Sequence, residues 1–152
     1  GVSVGKYDLT KTALNELGAE IFFEKIRLKP GKPAVFARLG KCLVFGLPGN
    51  PVSAAVTFHL FVRRALLHRQ NASNAGPKQG FAVLATDIRG AKERDTYLPA
   101  SLSTNKLGQL IAYPLKWSGS SDFVGYSRAE ALIVIPRGKV LVKGTPAAIL
   151  YL

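Results

Sequence analysis

Methionine is missing from this sequence altogether, cysteine and tryptophan occur once each, and nine acidic residues face 21 lysines and arginines. Each scarcity excludes something. Cys42 alone cannot form an internal disulfide, and with two histidines no Cys/His cluster has the spacing of a structural metal site. Cys42 itself reads as a buried strand residue. No apolar run reaches the roughly 18 residues that a membrane span needs, so no membrane association is expected. The opening "GVSVGKYD" has no basic region, apolar stretch or cleavage site of a secretory signal, and the chain reads as cytoplasmic. Without such a signal, Asn71-Ala72-Ser73 is a chance match to the glycosylation triplet. The lack of any methionine, an initiating one included, fits a fragment or a processed chain.

The shortage of acids leaves a formal net charge of +12 over 152 residues. Such a balance attracts an anionic partner: nucleic acid, an anionic metabolite or an acidic protein. Lys25, Arg27, Lys29 and Lys32 form the densest basic group, and Arg63, Arg64 and Arg69 a second. Neither interleaves with aromatic residues as a single-strand binder would, so nucleic acid is not the expected partner. Hydrophobic residues at 47% and charged residues at 20% mark a globular chain.

Along the chain, Leu9, Ala13, Leu14 and Leu17 fall at helical spacing, with Asp8 at or near the N-cap and Gly18 as the stop. "EIFFEKIRL" (residues 20–28) reads as a strand broken by "KPGKP" (29–33). If that strand is regular, Lys25 and Lys29 project from the same side. "AVFARL", Gly40-Lys41 and "CLVFGL" read as a hairpin, and residues 51–69 as a largely buried helix with a basic C-terminal end. "QNASNAGPKQG" (70–80) is the one clear linker. Beyond it come six short apolar runs separated by Gly, Pro, Asn and Ser, the pattern of a small all-β barrel or sandwich. The expected architecture is therefore an α/β part, residues 1–75, followed by a small all-β domain, residues 76–152.

Three stretches carry candidate chemistry. In "FGLPGNPVSA" (45–54), Asn50 is a favoured N-cap and Pro51 suits the first helical position. The amides of Val52, Ser53 and Ala54 would then be unpaired and ready for an anion, with the Ser53 hydroxyl beside them. Gly49 clears space and Pro48 stiffens the entry. A well-capped helix serving no ligand explains the same residues equally well. In "KPGKP", Lys29 and Lys32 flank a Pro-Gly turn closed by Pro33, so two ammonium groups stand on a stiff loop; a solvated basic turn is the plainer reading. In "GVSVGKYD", Ser3 offers a hydroxyl and Asp8 a carboxylate able to ligate Mg²⁺ or simply to cap the helix that follows.

The order, spacing and wording of these three stretches resemble the molybdopterin molybdenumtransferases, a family that includes the C-terminal domain of gephyrin. The similarity is strong from Gly1 to about Ala65 and looser beyond, where "RDTYLPASL", "WSGSSDF" and "AEALIVIP" fit the family's C-terminal domain. The resemblance implies a portion of a three-layer, doubly wound molybdopterin-binding α/β domain with the β domain behind it. It also implies a reaction, insertion of molybdate into adenylated molybdopterin with Mg²⁺-dependent release of AMP. Asp8 matches the acidic residue implicated in metal-dependent adenylate cleavage, and Lys25 and Lys29 match catalytic basic positions. Ser3, Lys32, Pro33, Gly49, Asn50, Ser53, Arg94 and Ser120 fall at substrate-binding positions. Family members are much longer than this chain. The α/β part should therefore show an incomplete sheet with an exposed edge, and a homodimer is expected of the full-length form. A catalytically incomplete binding or scaffold module of the same fold is the alternative, and a nucleic-acid-binding basic β domain a distant third.

Overall fold

The computed structural model of the protein describes residues 9–116 and 118–152. Its first helix, α1 (Thr10–Glu16), follows Leu9 and stops before Gly18, whose φ is +72°. Strands β1 (Glu20–Phe23), β3 (Val35–Leu39) and β4 (Cys42–Gly46) form an antiparallel sheet in the order β1-β3-β4. The hairpin expected around Gly40-Lys41 is present, with Leu39 opposite Cys42. Leu14 of α1 packs on Val35 and Ala37. Among the described residues β1 and β4 each pair only with β3.

Two expectations for this part are corrected. The single strand over residues 20–28 is two strands. After Phe23 the chain leaves the first sheet, and β2 (Leu28–Lys29) joins a different one, running parallel to β7 (Asp95–Thr104). The Ile26 amide donates to the Lys32 carbonyl at 2.9 Å, folding the intervening stretch back on itself. Lys25 and Lys29 therefore share no strand face. Cys42 is exposed rather than buried, because it stands at the turn end of β4.

The long helix begins as α2 (Pro51–Thr57), passes through a π-helical turn (Phe58–Val62) and ends as α3 (Arg63–Arg69). Val52, Ser53, Val56 and Thr57 are buried, whereas α3 has no buried residue. The burial expected of the whole helix thus belongs to its first half, since the basic second half runs out into solvent.

The remaining strands are β5 (Gln79–Leu84), β6 (Ile88–Arg89), β8 (Leu110–Pro114), β9 (Ala131–Ile135), β10 (Val140–Leu141) and β11 (Pro146–Tyr151); a short helix α4 (Phe123–Tyr126), unforeseen in the sequence, precedes β9. Pairings β5–β8, β8–β7, β7–β9, β9–β11 and β11–β5 close a five-stranded barrel. A barrel this small leaves little room inside. Ala82, Ala100, Ala112, Ala131 and Ala147 fill it together with Leu84, Ile133, Ile135 and Ile149.

Strand β9, "ALIVI", explains how the two parts meet. Alternate residues point to opposite faces, so Ala131, Ile133 and Ile135 enter the barrel while Leu132 and Val134 face outward. The outward pair is covered by Val52 and Val56 of α2, by Leu28 of β2, and by Leu150 and Tyr126. Burying each such aliphatic side chain contributes about 1.5–3 kcal/mol. One core therefore binds α2 to the barrel wall.

The turn after β2 is built into the same contact. Gly31 has φ +117°, and a Cβ there would lie 2.7 Å from Thr57 Cγ2 and 3.0 Å from Leu28 Cδ2. Thr57 is fully buried, and its hydroxyl donates to the backbone carbonyl of Ser53 at 2.8 Å. Gly31→Ala is expected to destabilise the fold by roughly 1–3 kcal/mol from backbone strain alone, measured by urea unfolding. Adding Thr57→Ser, which removes the obstructing methyl and keeps the hydroxyl, should recover part of the loss.

Candidate functional site

Four loops converge beside the α2–barrel contact and enclose a cleft of about 570 Å³. The end of β2 and the turn after it contribute Lys29, Lys32 and Pro33, and the β4–α2 connection with the first turn of α2 contributes Pro48, Gly49, Asn50 and Ser53. Arg94 comes from the β6–β7 loop, and Gly119 and Ser120 come from the loop before α4. Of the residues expected at a substrate site, Lys29, Lys32, Pro33, Gly49, Asn50, Ser53, Arg94 and Ser120 are brought together here, although they span most of the chain. Lys25 is not: it is exposed on the stretch between β1 and β2 and lines no part of the cleft. Ser3 and Asp8 lie outside the described residues.

The loops are tied to one another chiefly at Ser120. Its backbone carbonyl accepts the Val52 amide at 3.1 Å, and its Oγ accepts Asn50 Nδ2 at 2.8 Å. A serine hydroxyl that accepts in this way still has its own proton to donate. The bonds also correct the expectation of three free amides at the start of α2. Val52 N–H is taken by Ser120, and Ala54 N–H donates to the Asn50 carbonyl at 2.9 Å. Asn50 does stand at the N-cap with Pro51 behind it, but its side chain makes no cap bond and reaches across to Ser120 instead. The helix start thus serves partly to hold a second loop in place.

Asp122 holds that loop from the other side. Its carboxylate accepts the Ser118 amide at 2.9 Å and the Gly125 amide at 2.8 Å, capping α4. These bonds, the one from Ser118 first, keep the carboxyl below its ordinary value of 3.8, and Arg128 acts in the same direction. Gly125 is needed for the approach, since a Cβ there would sit 2.8 Å from Asp122 Oδ2. The sequence carried a signal for this residue that went unused: "SGSSDF" sets an Asp directly before a helix, a capping pattern.

The side chains that carry charge or hydrogen-bonding groups in the described lining of the cleft are cations, hydroxyls and one amide, set among prolines and glycines, and they include no carboxylate. Lys29, Lys32 and Arg94 can neutralise an oxyanion, with Ser53, Ser120 and Asn50 as polar neighbours. The described wall does not by itself suit a divalent cation, which prefers carboxylate oxygens. Among the described residues no group of three or more His, Cys, Asp or Glu could hold a metal. The same residues include no helix long and apolar enough to cross a membrane.

A depressed carboxyl pKa stabilises the fold fully above the unfolded value, and that contribution is lost as pH falls through the folded value. Asp122→Ala should therefore lower unfolding stability at neutral pH. The difference from the unaltered protein should shrink once the pH drops below 3.8, as read from urea unfolding at a series of pH values. A difference independent of pH would show that the carboxylate does not hold the loop.

Comparison with known proteins identifies relatives of both parts of the chain. Residues 1–68 match the family described as a probable molybdopterin binding domain, and residues 82–152 match the MoeA C-terminal region, domain IV. The chain is 35% identical over 143 residues to the molybdopterin molybdenumtransferase of Haemophilus influenzae, covering 92% of this chain and 35% of that protein. It is 32% identical over 140 residues to the Bacillus subtilis protein of the same name, covering 91% of this chain and 32% of that one. A crystal structure of a molybdopterin biosynthesis MoeA protein from Pyrococcus horikoshii superposes with a TM-score of 0.74 at 26% identity, over 95% of this chain and 34% of that chain. The chain spans about a third of the length of the curated relatives it matches. With an α/β part and a closed β-barrel in the family's order along one chain, the protein belongs to the molybdopterin molybdenumtransferase family.

Proposed function

We propose that the cleft binds the oxyanions of molybdenum cofactor assembly, and that the chain takes part in inserting molybdate into adenylated molybdopterin with release of AMP. The observation that carries this reading is the convergence of Lys29, Lys32 and Arg94 on Ser53 and Ser120, in a wall whose described residues include no carboxylate. In this reading residues 1–75 belong to the molybdopterin-binding α/β domain and residues 76–152 to the β domain, with the cleft between them. The ammonium groups act as point charges on phosphate or molybdate oxygens, and Arg94 adds a planar pair of donors. Negative charge on the leaving phosphate is stabilised by the same cations, held where the charge develops. Pro48 and Pro33 stiffen two of the loops, so little ordering is left for the ligand to drive.

Asp8 is the carboxylate proposed to ligate Mg²⁺ and assist cleavage of the adenylate. Ser3 is proposed as a donor from the same small-residue loop, and Lys25 as a catalytic basic position whose exposed place outside the described cleft requires a ligand extending beyond it. The full-length form is proposed to work as a homodimer in the cytoplasm, on a small pterin ligand rather than on nucleic acid.

Titration of molybdate into the protein is expected to show saturable binding. Lys29→Ala and Arg94→Ala should each weaken it roughly tenfold, the loss of about one charge-assisted contact. With adenylated molybdopterin, Mg²⁺ and molybdate present, AMP release should be detected and should be lost in Asp8→Ala. Unchanged release in that variant would overturn the assignment of Asp8. Molybdate binding with no AMP release would leave the chain a binding module rather than an enzyme.

A further inference from the structure

Arg94 stands in a wall shared by the cleft and a second chamber of about 750 Å³, which Arg27, Lys32, Lys92, Glu93 and Arg137 also line. Its side chain therefore has two directions open to it. Cations in both chambers repel it, and Glu93, its neighbour in the chain, is the one acid lining the second. The two ion pairs present among the described residues, Lys11–Glu24 and Arg38–Glu20, do not include Arg94. No ion pair in the described part aims the guanidinium into the cleft, so its direction rests on the backbone that carries it.

That backbone is the loop 90–94 between β6 and β7, and it is braced at both ends. Gly90 N–H donates to the Lys139 carbonyl at 3.0 Å, and Gly138 N–H donates to the Ala91 carbonyl at 2.8 Å. These bonds hold the start of the loop to the turn between β9 and β10. At the other end Asp95 N–H donates to the Arg27 carbonyl at 2.9 Å, while Asp95 Oδ1 accepts the Arg137 amide at 2.9 Å. Such bonds fix each end against a neighbour, but not one end against the other. Thr96 does that: its Oγ1 accepts the Ala91 amide at 3.0 Å, closing the loop across its mouth.

The position is an uncommon one for a hydroxyl. Thr96 is buried, and it shares the strand parity of Leu98, Ala100 and Leu102, which pack into the barrel. A β-branched residue suits a strand there, but valine would satisfy shape and propensity equally. What threonine adds is an acceptor, and a buried hydroxyl is costly unless bonded. Its bond goes to the Arg94 loop. The backbone of Thr96 also lies opposite Lys29 of β2 and Ile135 of β9. The residue that closes the loop is thus in register with the first lysine of the cleft.

We propose that Thr96 is a positioning residue: its hydroxyl holds the 90–94 loop closed so that the Arg94 guanidinium meets an oxyanion in the cleft. The inference rests on the reading of the cleft as an oxyanion site and adds a residue that touches no ligand. Thr96→Val frees the mouth of the loop, lets the guanidinium sample the second chamber, and removes part of a preorganised contact.

Calorimetric titration with molybdate, under conditions where urea unfolding shows each variant folded, tests it. Thr96→Val should weaken molybdate binding about fivefold, and Thr96→Ser, which keeps the acceptor, should stay within about twofold. In an Arg94→Ala background Thr96→Val should cause no further loss, since the hydroxyl acts through that side chain. Amide exchange in residues 90–94 should speed up in Thr96→Val and not in Thr96→Ser. Should Thr96→Val not fold, Thr96→Cys, of similar size and only a weak acceptor, takes its place. Ile149→Val is a barrel-core control of comparable stability loss, and it should leave molybdate binding unchanged. An equal loss in that control, or the same loss in the Arg94→Ala background, would mark general loosening of the barrel and overturn the assignment. So would unchanged molybdate binding in Thr96→Val while Arg94→Ala weakens it, and the cleft reading then stands. Absence of molybdate binding by the unaltered protein, or its full retention in Arg94→Ala, is a failure of the cleft reading and removes this inference with it.

Discussion

The contact on which the rest depends is the seam between α2 and the outer face of the barrel. Val52 and Val56 meet Leu132 and Leu150 there, with Leu28 and Tyr126 at its margins. A barrel wall is ordinarily apolar inside and polar outside, yet β9 is buried on both faces. That double burial is the reason for its uninterrupted apolar sequence. It also sets the start of α2, the turn after β2 and the loop before α4 at fixed positions around one opening. Without the seam, the cationic and hydroxyl residues of the cleft would belong to two units free to move apart.

Polar bonds then refine what the seam roughly places. Ser120 bridges to Val52 and Asn50, Asp122 holds the far end of the same loop, and Gly31 lets the lysine turn lie directly on Thr57. Each of these joins a residue of the first half of the chain to its neighbour across the opening, or stiffens a loop that does. The cations need no partners for this. They sit on backbone already anchored by other groups, so their charge is available to a ligand. The same division of labour recurs around Arg27, Arg94 and Arg137, where main-chain bonds and Asp95 do the anchoring.

Much of this was legible in the residues themselves. Periodicity located α1, the β3–β4 hairpin, the long helix and the short strands of the second part, because each follows from local spacing of apolar side chains. The motifs "KPGKP" and "FGLPGNPVSA" named the cleft's lysines and its serine, since proline and glycine mark stiff, close-packed turns whatever surrounds them. What failed were inferences that needed a neighbour. The strand through Lys25 looked continuous, and only its division between two sheets takes Lys25 off the cleft. The amides at the start of α2 looked free until Ser120, 68 positions beyond Val52 in the sequence, supplied a carbonyl. Cys42 looked buried because its neighbours are apolar, yet its place at the turn end of an outer strand exposes it.

The sequence by itself determined the order of elements, the excess of positive charge and the chemical character of each loop, because all of these are written within a few consecutive residues. Which loops share an opening was decided only by the tertiary structure. Closure of the barrel and burial of β9 on both faces are long-range pairings, fixed by hydrophobic contact between segments far apart in the chain. Those pairings set Lys29, Ser53, Arg94 and Ser120 around one volume, and they gather Arg27, Lys92 and Arg137 beside it.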